Sequence, residues 1–328
     1  MYFDNEQQIN IQNNELECEL EEDMAFFGYS TYETDFFETK DYEKLLLEFA
    51  KNKLLRQHNF NLKPKTIKQI RKQANNFIKV KTEGIDRNVL FLDDDDRVIY
   101  NFIAKHGDID ESKYDKLIKF ILKNASKKDI TLVPIKWVTD DQTNGYSMIK
   151  NSIIDDIEFL EKHPIISCGI VLANQNDDLG SAVLVHEMTH SLIDRHKGII
   201  ENRLHNEILS IYMELLSANE LDKSGKLLNY ALLDRLQSLK SNILSLNLNS
   251  FNGYKDIENQ TYTDSALYAF NLFENYITAS DKSRKSITKE INKTLSGDRL
   301  LEETLEKLDI TEEEGSHIIR GYVKKLMK

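Results

Sequence analysis

Residues 185–190 read Val-His-Glu-Met-Thr-His, inside an apolar run whose spacing predicts a helix. Side chains four residues apart on a helix project from one face, so His186 and His190 can share one tetrahedral metal ion. Glu187 can reach a water on that ion without being a ligand itself. The run alone also fits a half-buried helix with two histidines and no metal. Whether it is a metal site depends on a third ligand later in the sequence.

A third ligand is predicted on the next helix. Zinc sites with an open position use three protein ligands, and a carboxylate from a later helix is one common solution. The 16 residues between His190 and Glu207 allow the first helix to end near Gly198 and the second to return antiparallel. Glu207 and Glu214 share one face of this half-apolar helix, and two buried carboxylates are costly without a cation or a partner. The pattern therefore favours Glu207 as the third ligand.

The two runs together resemble a known class of enzymes. His-Glu-Met-Thr-His at 186–190 followed by Asn-Glu-Ile-Leu-Ser at 206–210 looks like the gluzincins, zinc peptidases whose third ligand is a glutamate. The spacing of Glu207, Ser210 and Glu214 is most similar to the catalytic half of the oligopeptidase F and thimet oligopeptidase family. More loosely, the stretch 262–270 resembles that family's tyrosine-rich helix, and the closing stretch of the sequence is similar to the family's C-terminal end. The resemblance covers about residues 165–325.

The resemblance implies a role for each matching residue of the two motifs. His186, His190 and Glu207 would hold one Zn²⁺ per chain, and Glu187 would be the general base. Asn206 would orient a ligand histidine without binding the metal itself.

One position departs from the motif. The aspartate that commonly follows the serine is Ile211 here, so the partner of His186 is open between Asp194 and Glu214. A ligating histidine usually donates its second N–H to a carboxylate or carbonyl.

The family also uses tyrosines, on a loop after the second motif, as transition-state donors. Tyr262 is the first candidate for this catalytic role and Tyr254 the second. A core aromatic is the competing interpretation for Tyr262, and the favoured one for Tyr254 and Tyr268.

The composition favours a mainly α (α+β) fold. The chain has 328 residues, 40% apolar and 30% charged, with only 3 Pro and 12 Gly. This is typical of a globular protein rich in helices. The resemblance refines the class to a zincin-like metallopeptidase, with a small sheet before the active-site helix and a helical C-terminal body. We expect an acidic, partly ordered segment at 1–40, a helical domain at 41–125 and the catalytic domain at 126–328.

Local patterns place the elements within this plan. Apolar residues at three- and four-residue steps predict helices over 41–82 and 112–125, and Pro64 suits the first turn of a helix. Ile130–Val138 and Ile165–Leu172 read as strands. Helices are expected from residue 181 to the end of the chain.

The charge is concentrated near the N-terminus. Residues 1–48 hold 14 Asp or Glu and 2 Lys, which accounts for the whole net charge of −12. Residues 51–81 hold 10 Lys or Arg and no acidic residue. This basic stretch could hold nucleic acid or the acidic segment, in cis or in trans. The low pI of about 5.3 and the lack of a base-reading motif disfavour nucleic acid.

The sequence favours a cytoplasmic protein that does not enter membranes. It has no apolar run long enough to span a bilayer and no signal-like start, and its two cysteines lie far apart. The leading interpretation is a zinc metallopeptidase that hydrolyses peptides or unstructured segments by way of a zinc-bound water. The alternatives are a regulatory metallopeptidase that cleaves a specific partner such as a repressor, and a non-catalytic, metal-stabilised binding protein with Glu214 as a fourth ligand.

Overall fold

A computed structural model describes part of the chain. The described residues are Lys44, 64–83, 85, 88–91, 130–133, 135–138, 145–148, 169–173, 177–193, 203–248 and 254–326. The acidic segment 1–40, the helix predicted at 112–125 and Asp194 lie outside these residues.

Helices make up most of the described chain. They are α1 (Pro64–Lys81), α2 (Asp177–Ile193), α3 (Arg203–Leu221), α4 (Lys226–Leu248), α5 (Tyr254–Thr278), α6 (Asp281–Leu295), α7 (Leu301–Lys307) and α8 (Glu312–Leu326). Helix α1 begins at Pro64 as predicted, because proline has no N–H to leave unpaired in the first turn. The mainly α class is confirmed.

The described residues between α1 and α2 form five short strands. They are β1 (Asn88–Phe91), β2 (Ile130–Val133), β3 (Ile135–Val138), β4 (Gly145–Met148) and β5 (Gly169–Ala173). Strand β1 pairs with β2 in parallel, and β5 pairs with β3 in parallel and with β4 in antiparallel. The single strand predicted at Ile130–Val138 is therefore two strands with different partners, which fits the missing donor of Pro134 between them. The zincin-like arrangement stays a prediction.

Helix α2 lies in the centre of the helical body. It contacts α1 and α3, and α3 in turn contacts α4 and α5. Every residue from Gly180 to Ile193 is buried except His190, which is half-buried. A helix that is apolar on nearly all sides belongs in a protein interior. The polar side chains that α2 carries into this interior therefore need partners.

The C-terminal helices pack onto the same core from the other side of α5. Helix α8 approaches α5 so closely that a Cβ atom on Gly315 would lie 2.1 Å from the carbonyl oxygen of Leu267. Glycine is required at this contact because no side chain fits. Asn271 and Asn275 of α5 donate to the carbonyl oxygens of Thr311 and Leu308. These contacts fix the position of α5.

The helix that the resemblance implies at 262–270 is present, but the loop expected to carry the donor tyrosines was a wrong prediction. Residues 254–278 form one continuous helix, α5, and Tyr262 lies inside it. The segment contains neither Gly nor Pro, and its hydroxyl groups bond within the helix. Thr263 donates to the carbonyl of Asn259 and Ser265 to that of Thr261, a pattern that satisfies these side chains without a turn.

No helix in the described part of the chain is both long and apolar enough to cross a membrane.

Candidate metal centre

Helices α2 and α3 bring His186, His190 and Glu207 together. The two Nε2 atoms of the histidines lie 2.9 Å apart. The carboxylate of Glu207 straddles them, with Oε2 3.6 Å from Nε2 of His186 and Oε1 3.5 Å from Nε2 of His190. One ligand atom from each residue lies within 4.8 Å of the others. The predicted third ligand thus meets the histidine pair, although it comes from a separate helix.

The spacing of these atoms fits a divalent ion between them. Zinc lies about 2.0–2.2 Å from imidazole nitrogen and carboxylate oxygen, so tetrahedral ligand atoms are about 3.3–3.6 Å apart. The observed separations of 2.9, 3.5 and 3.6 Å are close to that range. The side chains of His186 and Glu207 are only 7% and 10% exposed. A buried His-His-Glu group of this shape could hold a metal ion.

The second ring nitrogen of His190 faces hydrogen-bond partners on α3. Its Nδ1 lies 2.6 Å from Oδ1 of Asn206 and 3.1 Å from Oγ of Ser210. An amide oxygen only accepts, so Nδ1 of His190 is the donor, and in the neutral ring Nε2 then keeps its lone pair. Asn206 therefore contacts the histidine it was expected to orient. The contact from Ser210 was not predicted.

The second ring nitrogen of His186 faces a carboxylate. Its Nδ1 lies 2.9 Å from Oε2 of Glu214, whose side chain is 2% exposed. Of the two partners left open by the sequence, Glu214 occupies this position. A carboxylate accepts only, so Nδ1 of His186 donates to it and Nε2 is again unprotonated.

A charged residue that the sequence analysis missed completes this side of the site. Arg235 of α4 donates through Nε to Oε1 of Glu214 at 3.3 Å and through Nη2 to Oε2. The same Nη2 lies 3.1 Å from Nδ1 of His186. Burial raises the pKa of Glu214, but the charge of Arg235 and the hydrogen bonds from His186 and Arg235 together outweigh it and lower this pKa to about 2. The sequence feature that could have pointed to Arg235 is the charged pair Asp234-Arg235 inside an apolar stretch of helix.

The hydrogen bonds leave an electrostatic imbalance at the centre of the group. With both Nδ1 atoms donating, two lone pairs face each other at 2.9 Å and a buried carboxylate faces both. Three electron-rich atoms in such contact repel unless a proton or a metal cation lies between them. The lone pairs of the group and the distances between its atoms therefore both favour a bound metal cation.

Glu187 is buried beside the two histidines, with 4% of its surface exposed. Burial raises the pKa of its carboxyl group, and the charges of His186 and His190 act in the opposite direction. A carboxyl group with a raised pKa binds a proton more readily near neutral pH, which suits a general base.

Helix α5 borders the site at the start of α3. Oγ of Ser265 lies 3.3 Å from the carbonyl oxygen of Leu204, which places this part of α5 beside the turn that carries Glu207. Tyr262 lies on the same part of α5 and is half-buried. Its role as a transition-state donor stays a prediction. Burial and the nearby carboxylates of Glu312 and Asp264 raise the pKa of Tyr268 to about 12.

Comparisons with known protein families, with curated proteins and with solved structures find no match to this chain. The resemblance to the gluzincins therefore stays a prediction from the sequence motifs.

Proposed function

We propose that the protein is a zinc-dependent metallopeptidase that hydrolyses peptide bonds in peptides or unstructured segments. The observation that carries this proposal is the convergence of His186, His190 and Glu207, with both Nε2 lone pairs and the carboxylate directed at one point. Imidazole and carboxylate ligands suit Zn²⁺, although other divalent ions accept them as well. The intact glutamate at position 187 favours catalysis over a structural role.

The proposed zinc would be held by His186, His190 and Glu207, one ion per chain. Bound there, it would supply Lewis acidity, polarising a peptide carbonyl and lowering the pKa of a water molecule. Asn206 and Ser210 orient His190, and Glu214 orients His186, so that both Nε2 atoms are available as ligands. Burial of the group excludes bulk water and strengthens every charge interaction inside it.

Glu187 provides the proton transfer in this scheme. Its carboxylate accepts a proton from the attacking water and returns it to the nitrogen of the leaving amine. The raised pKa of its carboxyl group supports the first half of this role, because it makes the carboxylate a stronger base. Tyr262 is the proposed donor to the oxygen of the scissile carbonyl. Such donors are commonly worth about 2.7–4 kcal/mol of barrier.

The contacts of Glu214 disfavour a closed structural site. Such a site needs a fourth protein ligand, and Glu214 was the candidate. Its carboxylate instead bonds the Nδ1 edge of His186, away from Nε2, and pairs with Arg235. Among the described residues, the group contains three potential ligands. Three protein ligands leave one position for water or substrate, as in catalytic zinc sites.

The proposed fold is zincin-like. Helix α2 would be the active-site helix, the short strands β3, β4 and β5 would form the sheet before it, and α3 to α8 would form the helical body. Support comes from the order of the elements and from the contacts of α2 with β4, β5 and α3.

Zinc analysis combined with Glu187→Gln tests the proposal. We expect the purified wild type to contain about one zinc per chain and to cleave an unstructured, internally quenched peptide in a chelator-sensitive way. Glu187→Gln should keep its zinc and lose at least about 100-fold in activity, within the usual contribution of general-base catalysis. Glu303→Gln, at a side chain 61% exposed, is the control. A zinc-free wild type, or full activity in zinc-loaded Glu187→Gln, would contradict the proposal.

The same assay separates a general peptidase from one that cleaves a single partner. Zinc binding with no cleavage of a diverse peptide mixture would favour the partner-specific alternative. Zinc binding unaffected by peptides, with no cleavage of any protein tested, would favour the non-catalytic one.

A further inference from the structure

Arg235 lies outside both sequence motifs, yet it binds Glu214, which contacts His186, and its own Nη2 lies 3.1 Å from Nδ1 of His186. It is on α4, 49 positions from His186 in the sequence. Its side chain is 19% exposed, and the carboxylate it binds, that of Glu214, is 2% exposed. The contact is side-on and has two points, through Nε to one oxygen and Nη2 to the other. Such forked contacts fix the plane of a carboxylate as well as its position.

The orientation of that carboxylate controls which atom of His186 faces the metal group. Oε2 of Glu214 accepts from Arg235 and also lies 2.9 Å from Nδ1 of His186. With Nδ1 donating, the lone pair of the ring is on Nε2, opposite His190 and Glu207. Without Arg235, Glu214 would lose both bonds from the guanidinium, and a carboxylate that turned away would no longer accept the proton of Nδ1. The ring could then carry its proton on Nε2, and in that tautomer Nε2 cannot bind a metal.

We infer that Arg235 is a positioning residue of the metal centre, which holds Glu214 as the acceptor for Nδ1 of His186 and thereby directs the Nε2 lone pair at the metal. The inference rests on the proposed zinc site and adds to it a residue that touches neither metal nor substrate. Arg235 contacts Glu214, and Glu214 contacts His186. These contacts join α4 to α3 and α2. Helix α4 thus contributes to the site although it supplies no ligand.

A matched control is available in the same chain. Arg299 also binds a buried glutamate, Glu290, and its side chain is 21% exposed. This pair joins α6 to the residues before α7 and includes no residue of the metal group. Arg299→Gln therefore reports the general cost of removing a half-buried arginine from a buried carboxylate.

The tautomer of His186 is the direct readout. We would label the histidines with ¹⁵N and record long-range ¹H–¹⁵N spectra of the zinc-free protein, since a bound ion would itself fix the tautomer. The chain has eight histidines, so His186→Gln assigns the signal. We expect Nδ1–H in the wild type and in Arg299→Gln, and a mixture or Nε2–H in Arg235→Gln.

Zinc affinity, measured by competition with a chromophoric chelator, is the second readout. We expect Arg235→Gln to bind zinc about 10–100-fold more weakly, the usual effect of losing an outer partner of a ligand. Arg235→Lys keeps the charge but cannot make the two-point contact with the carboxylate. Its zinc affinity should lie between that of Arg235→Gln and that of the wild type. Arg299→Gln should bind zinc within about twofold of the wild type.

Two results would overturn the inference about Arg235. One is a wild-type His186 protonated on Nε2, and the other is a folded Arg235→Gln with the wild-type tautomer and zinc affinity. If Arg235→Gln does not fold, wild-type affinity in Arg235→Lys overturns it instead. Failure of the wild type to bind zinc would overturn the proposed function, and the tautomer of the zinc-free protein would still be read independently.

Discussion

Oδ1 of Asn206 lies 2.6 Å from Nδ1 of His190, so the residue immediately before one candidate ligand orients another. This bond joins the start of α3 to the last turn of α2. It brings Glu207, the next residue in the chain, into the group with the two histidines. Asn206 therefore acts on the site twice, through the ring it orients and through the helix it positions.

Replacing Asn206 by Ala should weaken zinc binding. The ring of His190 loses its closest acceptor, but Ser210 remains 3.1 Å from Nδ1 and can accept in its place. We therefore expect about a tenfold loss, the low end for outer partners of metal ligands, and a larger loss in Asn206→Ala/Ser210→Ala. Chelator competition measures both. The control is Asn275→Ala, since Asn275 is also half-buried and joins a helix, α5, to the residue that follows α7. An equal loss of zinc affinity in this variant would contradict the assignment.

Replacing Glu207 by Ala should abolish the stabilisation that zinc gives to the fold. A ligand that binds only the folded state stabilises it by about 2.7 kcal/mol at a concentration of 100 times its Kd. We expect zinc to raise the unfolding temperature of the wild type and to leave that of Glu207→Ala unchanged. Glu220→Ala, on the same helix but paired with Lys81, should retain the zinc response. A full response in Glu207→Ala would remove Glu207 from the ligand set.

The sequence predicts those parts of the site that depend on local geometry. His186 and His190 lie on one face because of helical periodicity, and Asn206 adjoins Glu207 in the chain. Arg235 could not be found in this way, because it reaches Glu214 only through the packing of α4 against α3. The loop predicted around Tyr262 was wrong for a related reason. The family pattern suggested a helix at 262–270 and also a loop for the donor tyrosines, while residues 254–278, which include no Gly or Pro, favour a helix throughout.

Glu290 should make stability depend on pH in the acidic range. A hydrogen bond from Lys307 lowers the pKa of this carboxyl group, burial opposes the shift, and Lys293 and Arg299 add to it. A lowered folded-state pKa stabilises the fold above the unfolded-state pKa, and that stability is lost as the pH falls through the folded-state pKa. We expect Glu290→Gln to be less stable than the wild type at neutral pH, with the difference shrinking below about pH 4. Urea unfolding across this range measures it. Glu303→Gln is the exposed control, and a difference that stays constant with pH would contradict the role of Glu290.

Gly315 should not tolerate even the smallest side chain. A Cβ atom there would lie 2.1 Å from the carbonyl oxygen of Leu267, and the obstacle is backbone, so α8 must move away from α5. Overpacking of this kind costs about 1–3 kcal/mol, and we expect Gly315→Ala to lower the free energy of unfolding by that amount. Gly321 lies on the same helix with no atom within 4 Å of an added Cβ. Gly321→Ala should therefore stabilise the protein by about 0.5–1 kcal/mol, because alanine loses less backbone entropy in a helix than glycine. Opposite signs in urea unfolding are the expected result. Equal stabilisation by both substitutions would mean that α8 does not pack against α5 at this distance.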